Sequence, residues 1–596
     1  MLVHGDHERE VRPAEVLALL RKRLRQMEAL PPGLDRHGVL VSLLIEAGEL
    51  AQGLLDADFA ERRRDEWDAR SVAFLELPLT LARALRTSQS SGYARLSQLP
   101  DEMFDALERL ELPERVTVEL PEGYAWYALY PELYLEAAHS LRLLPRPPVV
   151  IGIRGIGTGL ACVVSAAAGT TAPPFTVRPG GHPYQRTLSL GPGLENELVS
   201  RARESHVAIV NEGPGRSGSS FGAVADFLEA RGIPEDRLLF FPSHAGELGP
   251  AASERHRTRW ARARRYTADF ESLFLQPGED RPAPLAEWAE ELTGGSFGPL
   301  VDLSGGAWRH RLFPDERDWP AVHVQQERRK YLLLAERGTF LLKFAGLGAY
   351  GERRLGRARQ LSDAGLTPHL EGLRHGFLVQ RWHEGARPLP LAQGVDRAEL
   401  VARVGAYLGF RARRFLAEPG RGASLSQLLE MARSNSAQVL GDGFGEALGI
   451  WAPRLERLSA EVRPVETDNK PHAWEWLVLQ DGRLLKTDAV DHHDAHDLIG
   501  CQDVAWDVVG AAVELGFDEA EEAILAEYVE RASGRPVSAA LMAFYRPCYL
   551  AFQLGHHLMA ASALEALVPA EATRLRRAAE RYTSLLRGLA PNAYFA

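Results

Sequence analysis

Residues 206–232, HVAIVNEGPGRSGSSFGAVADFLEARG, join an apolar β-run (Val207 to Val210), an acidic residue (Glu212), a Gly/Ser loop and an amphipathic helix beginning near Phe221. A strand that turns through small residues into a helix commits this part of the chain to βα units, which stack as a parallel sheet. The same arrangement makes an anion site: glycines let backbone N–H groups approach, serines add hydroxyl donors, and the helix N-terminus favours negative charge. Gly215, Ser217, Gly218, Ser219 and Ser220 are the candidate phosphate grip, with Glu212 placed to accept hydrogen bonds from sugar hydroxyls. The plainer account is an ordinary strand-to-helix corner rich in Gly and Ser.

A second such loop lies upstream, where Pro148 to Ile153 runs into Arg154-Gly155-Ile156-Gly157-Thr158-Gly159 and an Ala-rich helix from Leu160. Between the two loops, FTVRPGGHPYQRT (Phe175 to Thr187) reads as a strand followed by the polar loop of a mobile flap. Over about residues 140–250 this order resembles the type I phosphoribosyltransferases, whose signature is a hydrophobic strand, two acids, a spacer and Thr-Gly-x-Thr. Asn211-Glu212 stands for the acid pair here, and Ser217-Gly218-Ser219-Ser220 for the phosphate loop. The resemblance implies that Arg154, Gly155, Gly157 and Thr158 hold pyrophosphate, and that the ligand is phosphoribosyl diphosphate or another ribose phosphate. Asn211 leaves one negative charge fewer around the ribose and its metal.

At 596 residues the chain exceeds one core, so three or more domains are expected. Residues 1–115 read as a helical region, with apolar periodicity over Ala14 to Leu30 and His37 to Ala57. Residues 116–275 alternate strand and helix, with strands near 148–153, 174–178, 207–210 and 238–241. Residues 276–296 open with QPGEDRPAP and read as a linker, so a chain beginning near residue 290 should fold alone. A net charge of −11 argues against a broad electrostatic hold on nucleic acid. The cysteines (Cys162, Cys501, Cys548) are too widely spaced for a disulfide framework or zinc motif, as in a reducing cytoplasm. No apolar run approaches the length of a membrane span, and the N-terminus carries acids where a secretory signal would not.

From about residue 297 the pattern changes. Leu300 to Ser304 and Trp308 to Phe313 read as strands joined at Gly305-Gly306, and Tyr331 to Ala335 with Thr339 to Phe344 as a hairpin. The second hairpin strand carries Lys343 among apolar residues, which is costly unless an anion or carboxylate partners it. A helix containing Glu352 follows, then FLVQRW (Phe377 to Trp382). Further on, Asp468 lies in a polar loop before a strand (Glu475 to Leu479), the turn Gln480-Asp481-Gly482, and a strand ending at Asp488. Taken alone, the lysine strand is a small antiparallel sheet with one snorkelling lysine.

This layout resembles the protein-kinase-like phosphotransferases, the branch that includes aminoglycoside phosphotransferases. The resemblance implies an N-lobe over 297–390 and a C-lobe over 391–596, with ATP and Mg²⁺ as cofactors. Lys343 would grip phosphates and be held by Glu352, with Gly305 and Gly306 near the nucleotide. Asp468 would be the base or orienting residue and Asp488 the chief metal ligand. His472 or Asn469 would replace the family's Asn five residues after that Asp, where Ala473 stands. Asp503 or Asp507 would anchor the catalytic loop.

The run Asp491-His492-His493-Asp494-Ala495-His496-Asp497 offers ligands suited to zinc or iron. Residues so nearly contiguous cannot all turn onto one ion, so polar loop residues beside a Mg–nucleotide site are the better account. The expected protein is multidomain α/β and α+β: a helical N-terminal region, a parallel-sheet phosphoribosyltransferase-like domain and a bilobal kinase-like domain. Its expected function is that of a cytoplasmic bifunctional transferase, coupling ribose-phosphate binding or transfer to ATP-dependent phosphoryl transfer on a small nucleoside-like molecule. The alternative is a nucleotide-sensing regulatory protein whose two domains bind without turnover. Small molecules, rather than membranes or nucleic acid, are the expected partners.

Overall fold

The computed structural model describes residues 1–2, 8–215, 217–249, 251–276, 278 and 282–589. Three long helices come first: Pro13–Glu28, Leu34–Arg62 and Ala69–Gln89. Leu17, Leu20, Leu24 and Met27, at three- and four-residue intervals, form the buried stripe of the first. The second is buried on every side over Leu40 to Leu55, which makes it a central core helix. Its Gly48 packs backbone to backbone on the helix Gly157–Ala168, where an added Cβ would lie 3.1 Å from the Gly159 Cα. Contrary to the sequence expectation, Leu34–Arg62 is long and apolar enough to cross a membrane; 83% of its apolar window is buried inside the protein. The region is not purely helical, because Glu8–Val11 pairs antiparallel with Val116–Glu119.

Five parallel strands form the α/β part, in spatial order Phe175–Val177, Val149–Ile153, Val207–Val210, Leu238–Phe241 and Arg264–Arg265. The middle three are buried at every residue, which is why their sequences are continuously apolar rather than alternating. Val150, Ala208, Val210, Leu239 and Phe241 face the core shared with Leu34–Arg62 and Gly157–Ala168. Val149, Ile151, Ile209 and Phe240 face the helices Pro192–Glu204, Ser219–Glu229 and Glu254–Arg262. Chain order reverses between Val149–Ile153 and Val207–Val210, and an open parallel sheet leaves a crevice at the carboxyl ends of such strands.

The C-terminal half begins with an antiparallel sheet in the order Val301–Asp302, Lys330–Ala335, Gly338–Phe344, Phe377–Arg381 and Leu370–Arg374. A helical lobe follows, including Arg397–Arg414, Leu425–Leu440, Val504–Leu515 and Ala539–Leu564, with the hairpin Trp476–Val478 and Leu484–Lys486 at its edge. The strand expected over 308–313 is instead the helical turn Arg309–Leu312. Arg309 is drawn inward by a two-pronged bond to Glu571 (3.0 and 2.7 Å), which an exposed edge strand would not allow.

No break in the core marks the expected linker. Residues 277 and 279–281 of that segment lie outside the described residues. The short helices Leu285–Trp288 and Glu290–Thr293 follow, and Leu285, Trp288 and Ala289 are buried in the common core. Leu333, Phe340, Leu342, Phe344 and Phe377 of the antiparallel sheet belong to that same core, together with the N-terminal helices. A chain beginning near residue 290 would bare this sheet face, at about 150–250 Å² per aromatic side chain. We therefore expect it to be insoluble or to lack near-UV circular dichroism, reversing the expectation from sequence. A soluble fragment with a cooperative melt would show that the core divides.

Candidate active site

Between the antiparallel sheet and the helical lobe lies a cleft with an apolar side (Leu303, Leu341, Leu378, Trp382) and a charged side (Lys343, Lys486, Asp488, Asp491, His492). Lys343 is ion-paired with Asp488 and lies 3.5 Å from Asp491. Burial alone would lower the lysine pKa, but the two carboxylates outweigh it and raise it. Burial likewise opposes ionisation of Asp488 and Asp491; Lys343 holds both below the usual carboxylate range. Arg328 adds a bond to Asp491 at 3.1 Å. Asp488 has φ 52°, a left-handed backbone that non-glycine residues enter at a cost, Asp less than most.

Behind this wall stands Asp468, 1% exposed. It accepts from the Tyr407 hydroxyl (3.0 Å) and lies 3.1 Å from both Lys486 Nζ and His492 Nδ1. Lys486 and His492, which line the cleft, thus separate Asp468 from it. Lys486 is 0% exposed and also bonds Glu475 at 2.6 Å. Burial raises the Glu475 carboxyl to about 7 despite that lysine. The backbone N–H groups of Asp468 and Asn469 donate to Asp507 at 2.7 and 3.0 Å. Of the two expected anchors, then, Asp507 holds the loop, while Asp503 caps the helix Val504–Leu515. His492 Nε2 points on to Asp488 at 3.6 Å, so one imidazole connects the two aspartates. Asp491 Oδ1 is buried without a hydrogen-bond partner among the described residues, and Asp488, Asp491 and His492 could share one ion.

Three expected placements need correction. Glu352 does not meet Lys343; it is 48% exposed and paired with Arg23 of the first helix, because Asp488 and Asp491 already satisfy the lysine. His472 lines the cleft but sits 3.4 Å from Glu514 and stacks on Trp474, so it is turned away from Asp488. Gly305 and Gly306 form a turn at φ 57° and 85°, and the Gly306 N–H donates to Glu327 at 3.0 Å rather than into the cleft.

The crevice predicted at the parallel-sheet switch point brings together Arg154, Gly155, Asn211, Glu212 and Ser220, with Glu119, Glu122, Arg178 and Arg186 around them. Gly157 and Thr158 lie inside instead: a Cβ at Gly157 would meet the Val210 carbonyl at 2.8 Å, and Thr158 is fully buried. Gly215 lies on the exposed side of its loop, and Gly218 is packed against Leu248. Ser217 and Ser219 give their hydroxyls to the Pro183 carbonyl (3.2 and 2.6 Å), in the hairpin Gly180–His182 and Gln185–Thr187, rather than to an anion. Arg154 is ion-paired with Asp65 and Asp56, and Arg178 with Asp56 and Glu119. Glu212 is pushed up to about 8, first by burial and then by the charge of Glu122.

One segment, 488–497, touches both clefts. Asp488 and Asp491 face the first, while His496 bonds the Tyr127 hydroxyl (3.2 Å) and lies 3.8 Å from Glu122 of the second. Sequence reasoning missed Asp491 and His492 as individual site residues. Their signal is the spacing of three and four from Asp488, which a helical turn at His492–Asp494 folds onto one side.

Two tests follow. Lys486→Met strips Asp468 and Glu475 of the buried lysine they share and should cost about 3–5 kcal/mol in denaturant unfolding, the range for breaking a buried pair. A loss below about 1 kcal/mol, the range of exposed pairs, would mean that water reaches the site. The Glu212 pKa, about 8 when folded against an ordinary 4.5, contributes stability present below pH 4.5 and lost as pH rises through 8. Glu212→Gln should therefore flatten the fall in Tm across that window and melt higher than wild type above pH 8.

No family model matches the sequence, and no curated protein matches it. Among solved structures, the choline kinase LicA from Streptococcus pneumoniae is similar at 17% identity, covering 43% of this chain and 89% of its own, with a TM-score of 0.30. A choline/ethanolamine kinase family protein from Mesorhizobium loti is similar at 17% identity over 49% of this chain and 94% of its own, with a TM-score of 0.31. Spectinomycin phosphotransferase, in complex with ADP and spectinomycin, is similar at 16% identity over 50% of this chain and 97% of its own, with a TM-score of 0.32.

Proposed function

We propose that the cleft between the antiparallel sheet and the helical lobe binds a magnesium–nucleoside triphosphate and transfers its terminal phosphoryl group to a small molecule. The observation that carries this reading is the convergence of Lys343, Asp488, Asp491 and His492 in one cleft that also has an apolar lining of Leu303, Leu341, Leu378 and Trp382. The apolar side suits a base, and Lys343 suits phosphate oxygens. Asp488 and Asp491 are the oxygen ligands Mg²⁺ prefers, and Asp491 Oδ1, which accepts no hydrogen bond among the described residues, fits that role. The metal would supply neutralisation of charge on the β- and γ-phosphates.

Asp468 is too deep to touch an acceptor and acts through His492: its carboxylate fixes the imidazole at Nδ1 and leaves Nε2 to face the cleft. The acceptor hydroxyl gives its proton to His492 Nε2 as its oxygen forms the new bond to phosphorus. The bond from phosphorus to the bridging oxygen breaks, and a nucleoside diphosphate leaves. Lys470, His556 and His557 line the acceptor side, and burial lowers the histidines to about 3 and about 4, so they present neutral imidazoles at neutral pH.

The decisive experiment incubates the protein with [γ-³²P]ATP, Mg²⁺ and a small-molecule library. Lys343→Met and Asp488→Ala should each lower turnover by about 10²-fold or more, as loss of a transition-state electrostatic contact does. His492→Gln should lower kcat at little change in nucleotide affinity. Glu352→Gln should leave kcat within about twofold, in keeping with an exposed ion pair. ATP binding without any movement of γ-phosphate would instead favour the regulatory reading.

A second reading concerns the parallel-sheet crevice, as a site for a sugar phosphate of the ribose-phosphate class. It is supported by the meeting there of Arg154, Gly155, Asn211, Glu212 and Ser220 from two separate loops. Calorimetric titration with phosphoribosyl diphosphate tests it, and heats unchanged by Arg186→Ala would count against it.

A further inference from the structure

We propose that His37, Glu132 and His375 form a structural site for a divalent transition metal of the zinc type, where the N-terminal helices meet the antiparallel sheet. His37 comes from the helix Leu34–Arg62, Glu132 from the helix Pro131–Ala137, and His375 from the turn between Leu370–Arg374 and Phe377–Arg381. The three segments are remote in sequence, and none of the three residues lines either cleft.

The geometry is that of one ligand sphere. Nε2 of His37 and Nε2 of His375 lie 3.0 and 2.8 Å from the same oxygen, Glu132 Oε1, and the donor atoms of the trio fall within 4.8 Å of one another. Ligands at about 2.0–2.1 Å from a tetrahedral zinc stand about 3.3 Å apart, so a small opening of the trio admits the ion.

Hydrogen bonding alone leaves the site incomplete. Both imidazoles crowd one carboxylate oxygen, while Glu132 Oε2 has no partner among the described residues although Glu132 is 0% exposed. The Tyr93 hydroxyl is also buried without a partner among the described residues, and the Tyr93 ring lies 4.4 Å from that of His37. Tyr130 and Trp288 close the other sides, their rings each 5.1 Å from His375. The Glu132 carboxylate is buried among aromatic rings, where a charge is costly unless a cation partners it. A divalent cation removes that deficit and gives Oε2 a partner. His37 Nδ1 meets Ser88 Oγ at 2.9 Å, the outer hydrogen bond that orients a metal-binding imidazole. The nitrogen-rich set suits zinc rather than magnesium, and the absence of exposure suits a structural rather than a catalytic ion. Tyr93 Oη is a candidate for the fourth position.

The test uses the full-length, untagged protein purified without chelator. Elemental analysis should find one equivalent of zinc, retained in Asp488→Ala and lost in His375→Ala. Stripped wild-type protein should melt several degrees lower, recover on adding zinc, and develop the visible bands of tetrahedral cobalt on adding Co²⁺. Because His375→Ala could itself loosen the fold, the stripped wild type provides the independent measurement. Absence of stoichiometric zinc, with no cobalt bands and no change in Tm on metal addition, overturns the proposal. So does zinc that survives His375→Ala and disappears in Asp488→Ala, which would place it in the cleft.

Discussion

Two lysine ammonium groups, Lys343 and Lys486, lie where water solvates them poorly, and the layout around the cleft can be read as the means of neutralising them. A buried charge is tolerated only when partnered at close range, and removal of the partner costs more than the pair contributes. Lys343 sits in the middle of the antiparallel sheet, so its partners must be brought from the other lobe. Asp488, at the end of a hairpin strand and forced to positive φ, and Asp491, three residues on, supply them. Lys486, two residues before Asp488, pairs instead with Asp468 and Glu475. One hairpin therefore serves two charge centres, and His492 joins them.

Much of this was legible in the chain. The buried parallel strands, the Lys343 hairpin and the Asp488 hairpin follow from continuous or alternating apolar runs bounded by turn residues. Ion-pair partners were not legible, because they depend on which surfaces meet. Glu352 had the right residue type and spacing, yet Arg23, more than three hundred residues earlier in the chain, claims it. Asp468 had the right place before the hairpin, but its depth depends on Lys486, whose inward turn no pattern announces. The serines at 217 and 219 suggested an anion, and the backbone carbonyl of Pro183 took both hydroxyls. The expected linker rests on the same kind of local signal: a Pro- and Glu-rich segment records local chain stiffness and polarity, whereas a core is divided or shared by what packs on either side of it.

Arg354 shows how tightly the parts are joined. It is 1% exposed and donates to the Ala125 and Ala345 carbonyls and to Asp494. A single guanidinium thereby connects the chain beside the parallel-sheet crevice, the end of the Lys343 strand and the segment that carries Asp488 and Asp491. Planar, multidentate and permanently charged, arginine suits such a junction where lysine would not. The segment that touches both clefts is thereby tied to the chain on either side of it.

The helix Leu34–Arg62 has partners at both ends of the chain's synthesis. Its Ser42 packs against Gly348, its Glu49 accepts from the Tyr350 hydroxyl at 2.9 Å, and its Gly38 approaches His375. Those partners are made some three hundred residues later, and at about 5–20 residues per second they arrive roughly 15–60 s after the helix itself. During that interval a long apolar helix of the protein has no native cover on that side. The order of manufacture and the order of closure are thus opposed: a core helix is made early, and the half that seals one side of it is made last.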